Sequence, residues 1–270
     1  MPHAAKIYIR SKNIKKRITG TAYLYAMRYF LEISYNGAQY NGWQTQPNGT
    51  AVQQVIDHCL STITREPVHC LGCGRTDTGV HASQFFLHFD VEAALPEDFV
   101  RRMNALAPPD IAIHRVIPVH PEAHARFDAT LRSYEYIFCH HKDVYRQGLV
   151  FYQPYLELDV ALMQQACAIL LQFDDFPSFC KSKSGAKTYI VHLQEARWEQ
   201  RADDLVFIIS GNRFLRGMVR LVVGAMIQIG KGKMTLEEFE SGIREKRRFR
   251  LALSAPAHGL YLCRVEYPYL

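Results

Sequence analysis

Arg75 and Asp77, separated by one residue and set among glycines at 72, 74 and 79, are the side chains best suited to chemistry in this 270-residue chain. Glycine adopts backbone angles closed to other residues and lets a ligand approach the main chain. Apolar runs at 66–70 and 84–89 flank the stretch, so it reads as a loop joining two strands. An ionised carboxylate there can act as a nucleophile or a base, and a nearby cation favours the ionised form. The same residues also suit an ordinary turn carrying a surface ion pair.

Other chemically capable residues lie in the second half. Tyr134 sits in the run Arg132-Ser133-Tyr134-Glu135-Tyr136, where strand alternation places both tyrosines on one face. The apolar periodicity of residues 214–229 predicts a helix. At 100° per residue, Arg213, Arg216 and Arg220 then project within about 60° of one another as a basic stripe. Lys181, Lys183 and Lys187 fall on a loop containing Ser and Gly, and residues 244–250 hold five Lys or Arg. Each group suits phosphate contact, although a solvated surface is the commoner fate of such charges.

These residues need a scaffold, and the pattern supplies one. Residues 28–35 predict a strand ending in an Asn36-Gly37 turn. Residues 51–64 predict a helix capped by Thr50, with Val52, Val55, Ile56, Cys59, Leu60 and Ile63 on one face. Strands at 67–72 and 84–90, a helix from Pro96 to about 107 and a strand at 111–119 follow. The second half repeats that order. It has a strand at 131–139, a helix capped by Asp159, strands near 188–199 and 204–210, the 214–229 helix, another at 235–244, and a strand at 259–267. The expected class is α+β, with two ferredoxin-like βαββαβ halves, each an antiparallel sheet with helices on one face. The expected divisions are a basic, disordered extension at 1–26, a domain at 27–125 carrying Asp77, and a domain at 126–270. A cleft between the halves would bring Asp77 near Tyr134 and Arg220.

Composition narrows the class. Hydrophobic residues make up 48% and charged residues 21%, ordinary for a globular protein. No run of 18 apolar residues or signal-type leader is present, and seven scattered cysteines suit reduced thiols in the cytoplasm. The net charge of +6 is concentrated: six basic and no acidic residues lie in 1–26, and the remainder is balanced. Binding to nucleic acid would therefore need local basic surfaces.

Gly74-Arg75-Thr76-Asp77-Thr78-Gly79-Val80-His81 resembles the active-site motif of the TruA family of tRNA pseudouridine synthases. Other family segments follow in order. They are Tyr35-Asn36-Gly37 with Tyr40, Gly42, Trp43 and Gln44; His124-Ala125-Arg126-Phe127 with Arg132-Ser133-Tyr134-Glu135-Tyr136; Phe214-Leu215-Arg216-Gly217-Met218-Val219-Arg220; and Gly259-Leu260-Tyr261-Leu262. The family more often has Asp at the position of Asn36. The likeness spans roughly residues 28–268.

The resemblance implies a cytoplasmic homodimer, free of metal and cofactor, that isomerises uridines 38–40 of the tRNA anticodon stem-loop. It implies that Asp77 acts at C1′ of the uridine, either as nucleophile or by removing the C2′ proton to give a glycal. Arg220 is the implied ion-pair partner of Asp77, and Arg75 supports extrusion of the target base. Tyr134 would stack on the detached uracil or remove the C5 proton. Arg213, Arg216, Lys181, Lys183 and Lys187 are RNA-contact candidates. His81 is expected to order the Asp77 loop, and Trp43 to be a core or hinge aromatic.

Competing readings have less behind them. Cys70-x-x-Cys73 has no second cysteine pair to complete a zinc site, and enters a Gly-rich loop instead of following a βα unit. A Cys73 thiolate attacking C6 of the base is a chemical alternative. A non-catalytic RNA-binding protein on the same scaffold would leave the Arg75, Asp77 and Tyr134 set without a purpose. A glycosidase would want a second carboxylate as general acid, and no motif nominates one.

Overall fold

The first strand follows from its alternation. In the computed structural model, which describes residues 26–181, 185–249 and 254–270, β1 (Met27–Tyr35) buries Phe30, Leu31 and Ile33 completely. Helix α1 (Val52–Thr64) buries Val52, Ile56, Cys59 and Leu60 at helical spacing. Its N-cap is Ala51, with no side-chain cap, so Thr50 does not fill the expected role. Strand β2 (Leu71–Gly72) is shorter than expected. The preceding backbone is held by α1 side chains instead: Val68 N donates to Ser61 Oγ and Cys70 N to Asp57 Oδ1.

Strand β3 (His81–Val91), helix α2 (Phe99–Leu106) and strand β4 (Ile111–Val119) complete the first half, with β1 antiparallel between β3 and β4. The second half runs β5 (Leu131–Cys139), the short β6 (Phe151–Tyr152), α3 (Val160–Leu170), β7 (Leu193–Arg201) and β8 (Asp204–Gly211). It then continues through α4 (Met218–Gly230), α5 (Leu236–Arg244) and β9 (Leu260–Glu266). Asp159 caps α3 through its Oδ1, and Thr235 with Glu238 forms a capping box on α5.

Among the described residues the architecture is α+β, with one sheet in the order β4-β1-β3-β9-β5-β8-β7; β2 joins β3 and β6 joins β5. The expected antiparallel pairing holds among the main strands of each half, but the two sets form one mixed sheet instead of a sheet apiece. The halves fuse where β3 and β9 pair in parallel, His81 opposite Tyr261 and Ala82 opposite Leu262. Either half alone would expose an edge of unpaired backbone groups, and the shared seam satisfies both. Leu262 is also opposite Tyr134 on β5. Ala82, Leu262 and Tyr134 therefore lie in one row across the seam, about 10 Å from end to end at two strand spacings.

The residues placed in 1–26, except Ala26, and Lys183 in the lysine loop lie outside the described residues.

Candidate active site

Asp77 is carried by a loop braced from both sides. On one side, Trp43 N donates to Thr76 O, Gly79 N to Tyr40 O, and the Tyr35 and Thr76 hydroxyls are 2.9 Å apart. Gly42, at φ +81°, permits this approach: a Cβ there would lie 2.3 Å from Thr76 O. Trp43 is buried against Phe85 and serves as core, one of the two roles foreseen for it. At the end of the loop His81 Nδ1 accepts from Gly37 N, its ring stacks on Tyr261, and burial lowers its pKa. A neutral imidazole thus fastens the loop to the first turn.

On the other side, a buried arginine makes the brace. Arg132 donates from Nε and Nη2 to Cys73 O, from Nη2 to Arg126 O, and from Nη1 to Asn212 O and Ala129 O. All five bonds end on main-chain carbonyls. One guanidinium therefore ties the Asp77 loop to the linker between the halves and to the turn entering Arg213.

Two cations converge on the carboxylate. Asp77 Oδ2 accepts from Lys181 Nζ at 2.8 Å and from Arg220 Nη1 at 3.2 Å. Arg220 is aimed by a second bond, from its Nε to Ala255 O at 2.6 Å, and Ala255 N donates back to Arg220 O. Lys181 is held at its backbone by Arg216 O and along its stem by Gly217, where a Cβ would come within 2.7 Å of Lys181 Cε.

Gly217 has a second consequence. Its left-handed backbone, φ +71°, makes it the N-cap of α4, so the helix begins at Met218, four residues later than the apolar periodicity suggested. Arg220 is on the helix, but Arg213 and Arg216 precede it, and the three do not form a helical stripe. Arg216 is exposed and Arg213 half-buried.

Tyr134 is buried beside this pair, with the edge of Phe214 against its ring at 5.1 Å. Burial is the main cause that raises its phenol pKa above the ordinary value, and the Cys73 and Asp77 charges add to it. Tyr136, on the same strand face, is fully buried and donates its hydroxyl proton to Pro256 O, which makes it packing.

Arg75 and Lys187 are exposed. Of the run at 244–250, whose Arg250 lies outside the described residues, Arg244 pairs with Glu240, Lys246 with Asp175 and Arg247 with Glu245. Cys73 is buried and desolvation pushes its thiol up to about 11, which opposes a thiolate role at neutral pH. Among the described residues no group of three or more His, Cys, Asp or Glu is placed to hold a metal ion.

The convergence on Asp77 includes two features that sequence reasoning missed. Lys181 was assigned to phosphate contact, yet its ammonium is on the carboxylate; Arg132 was seen only as part of a motif. Lys181 had no local signal, since Asp77 is 104 residues away, and two of the carbonyls that Arg132 binds, those of Cys73 and Asn212, are 59 and 80 residues away.

Known proteins share this sequence at length. The profile described as tRNA pseudouridine synthase matches residues 166–268. The chain is 44% identical to a tRNA pseudouridine synthase A of Parabacteroides distasonis, over 89% of this chain and 96% of that protein. It is equally identical to one of Porphyromonas gingivalis, over 89% and 97%. One from Bacillus licheniformis is 35% identical over 89% of this chain and 99% of its own length. Identity at this level, along nearly the whole of both partners, establishes that the chain belongs to the tRNA pseudouridine synthase A family.

Proposed function

We propose that this protein converts uridine to pseudouridine in tRNA, at positions 38–40 of the anticodon stem-loop, with Asp77 as the acting carboxylate. The observation that carries the reading is the convergence of Lys181 and Arg220 on Asp77 Oδ2 beside the buried Tyr134. The C1′–N1 bond of the uridine breaks, the uracil turns, C5 bonds to C1′, and the C5 proton is lost while the freed N1 takes one up. Asp77 either attacks C1′ and is later displaced, or takes the C2′ proton and returns it.

Arg75, exposed two residues before Asp77, supports extrusion of the target base, which costs a few kcal/mol of unstacking. Tyr134 holds the detached uracil by its ring, or takes the C5 proton through its phenol. The loop 185–190 with Lys187, and Arg213 and Arg216 before α4, supply phosphate contacts. We read residues 27–125 and 126–270 as two ferredoxin-like halves flanking a cleft. The strand order β9-β5-β8-β7 in the second supports this. The enzyme works in the cytoplasm as a homodimer and needs no metal or cofactor.

The test uses undermodified tRNA carrying tritium at C5 of uridine. The wild-type protein releases tritium to water, while Asp77→Asn releases none and binds tRNA within a few fold of wild type. Turnover by Asp77→Asn refutes the assignment. Release of free uracil would identify a hydrolase, and binding without release by the wild type would identify a non-catalytic RNA-binding protein.

A further inference from the structure

Phe127 is a large aromatic held out in solvent on a rigid support. It is 74% exposed. The turn beneath it is bonded at every residue. His124 Nδ1 accepts from Arg126 N and Phe127 N, and His124 N donates to Asp128 Oδ2. Ala125 N donates to His88 Nδ1, and Tyr267 donates to Ala125 O. Tyr269 donates to Asp128 Oδ2, so that carboxylate is occupied with the turn. An exposed phenylalanine gains nothing in stability from this arrangement, because its ring buries little apolar area.

The surroundings of Phe127 are cationic. The Arg126 guanidinium lies over the Phe127 ring at 5.7 Å, and the His124 ring is 4.3 Å from it. Arg132 binds the carbonyls of Arg126, Cys73 and Asn212 together, which brings the backbones leading to Arg75 and Arg213 to the same turn. Among the described residues Arg126 makes no ion pair. Its pKa is lowered, first by desolvation and then by Arg75, Arg132 and Arg213. A concentration of guanidinia is costly unless an anion arrives, and the exposed aromatic beside Arg126 offers a flat apolar face.

We infer that the Arg126–Phe127 turn is a platform for a second unstacked nucleotide of the RNA substrate, next to the one delivered to Asp77. Bases displaced from an RNA helix stack on aromatic rings or guanidinium planes, and such stacking is independent of sequence. The base lies against Phe127, with its phosphate between Arg126 and Arg75. The platform steadies the opened strand while the target uridine is away from its helix. This inference rests on the pseudouridine synthase reading and extends it to a residue pair outside the catalytic set.

The experiment measures kcat and KM on an anticodon stem-loop RNA for the wild type, Phe127→Leu, Phe127→Trp and Arg126→Gln. Phe127 is on the surface, so none of its substitutions threatens the core. Phe127→Leu raises KM about tenfold or more, the scale of one lost base stack. Its kcat changes little, and Phe127→Trp restores KM. Arg126→Gln raises KM and lowers the salt slope of binding by about one. Active Phe127→Leu with a wild-type KM overturns the platform while leaving the enzyme reading intact. A wild type that makes no pseudouridine overturns both. If Phe127→Leu instead changes the oligomeric mass of the RNA-free protein, the face is a protein interface and the platform is refuted.

Discussion

Lys181 Nζ lies 2.8 Å from Asp77 Oδ2, on the same oxygen that Arg220 reaches at 3.2 Å. Lysine and carboxylate are 104 positions apart in the chain. One carboxylate held by two cations leaves the pocket with an excess positive charge, which suits an anionic polymer that must come close. It also fixes the carboxylate rotamer before substrate arrives, and such preorganisation is what electrostatic catalysis requires.

Lys181→Met should therefore reduce kcat, by about tenfold, a discounted figure for a pair that is partly open to solvent. The lysine side chain is 33% exposed and that of Asp77 25%. Steady-state kinetics on tRNA would show KM nearly constant, with Lys181→Arg close to wild type. A raised KM with unchanged kcat and a shallower salt dependence would return Lys181 to phosphate contact.

Gly217 supports the same pair from below. Gly217→Ala places a non-glycine residue at φ +71° and drives its Cβ into the Lys181 stem. The backbone alone costs about 1–2 kcal/mol. Urea unfolding should show that loss, and activity should fall as in Lys181→Met. Combining the two substitutions should cost less activity than the sum of their separate effects, because both act through one ammonium. Strict additivity would separate the glycine from the lysine.

Arg132→Lys keeps the charge but loses the planar fork. An ammonium cannot span the carbonyls of Cys73, Arg126, Ala129 and Asn212, and those left without donors are buried or part-buried. The expected destabilisation is about 2–4 kcal/mol. Denaturant midpoints measure it, and kcat on tRNA should fall alongside, since the Asp77 loop loses its tie. A lysine variant as stable as the wild type would show that the clamp is dispensable.

His88 should make stability depend on pH. It is buried, accepts a hydrogen bond from Ala125 N at Nδ1, and burial pushes its imidazole down to about 4 from 6.5, helped by His124. The unfolded chain then takes up a proton below pH 6.5 that the folded one refuses until about 4. The contribution is complete above 6.5 and is lost as pH falls towards 4, reaching at most about 3 kcal/mol. Urea midpoints between pH 7.5 and 4.5 should decline more steeply for the wild type than for His88→Gln. Parallel slopes would remove His88 as the source.

Local readings succeeded where the physical cause is local. Strands β4 and β5 have the bounds that their apolar alternation predicts, and Asp159 caps α3 with its own side chain. The glycine loop around Asp77 and the presence of Tyr134 on a strand were also legible, because residue types and spacing carry them. The start of α4 was not. Apolar spacing continues through Phe214 and Leu215, and nothing in it reveals that Gly217 turns left-handed to let a lysine pass.

The amino-acid order by itself determined the elements, their succession and the side chains equipped for chemistry, since propensity, periodicity and capping act within a few residues. That Lys181 would join Arg220 on Asp77 was decided only by the fold. β3 and β9, some 180 residues apart, pair in parallel at His81 and Tyr261, and that seam sets the Asp77 loop near Tyr134 and Arg220. The outcome depends on satisfying strand edges and buried carbonyls across the whole molecule, a requirement that no local window of sequence contains.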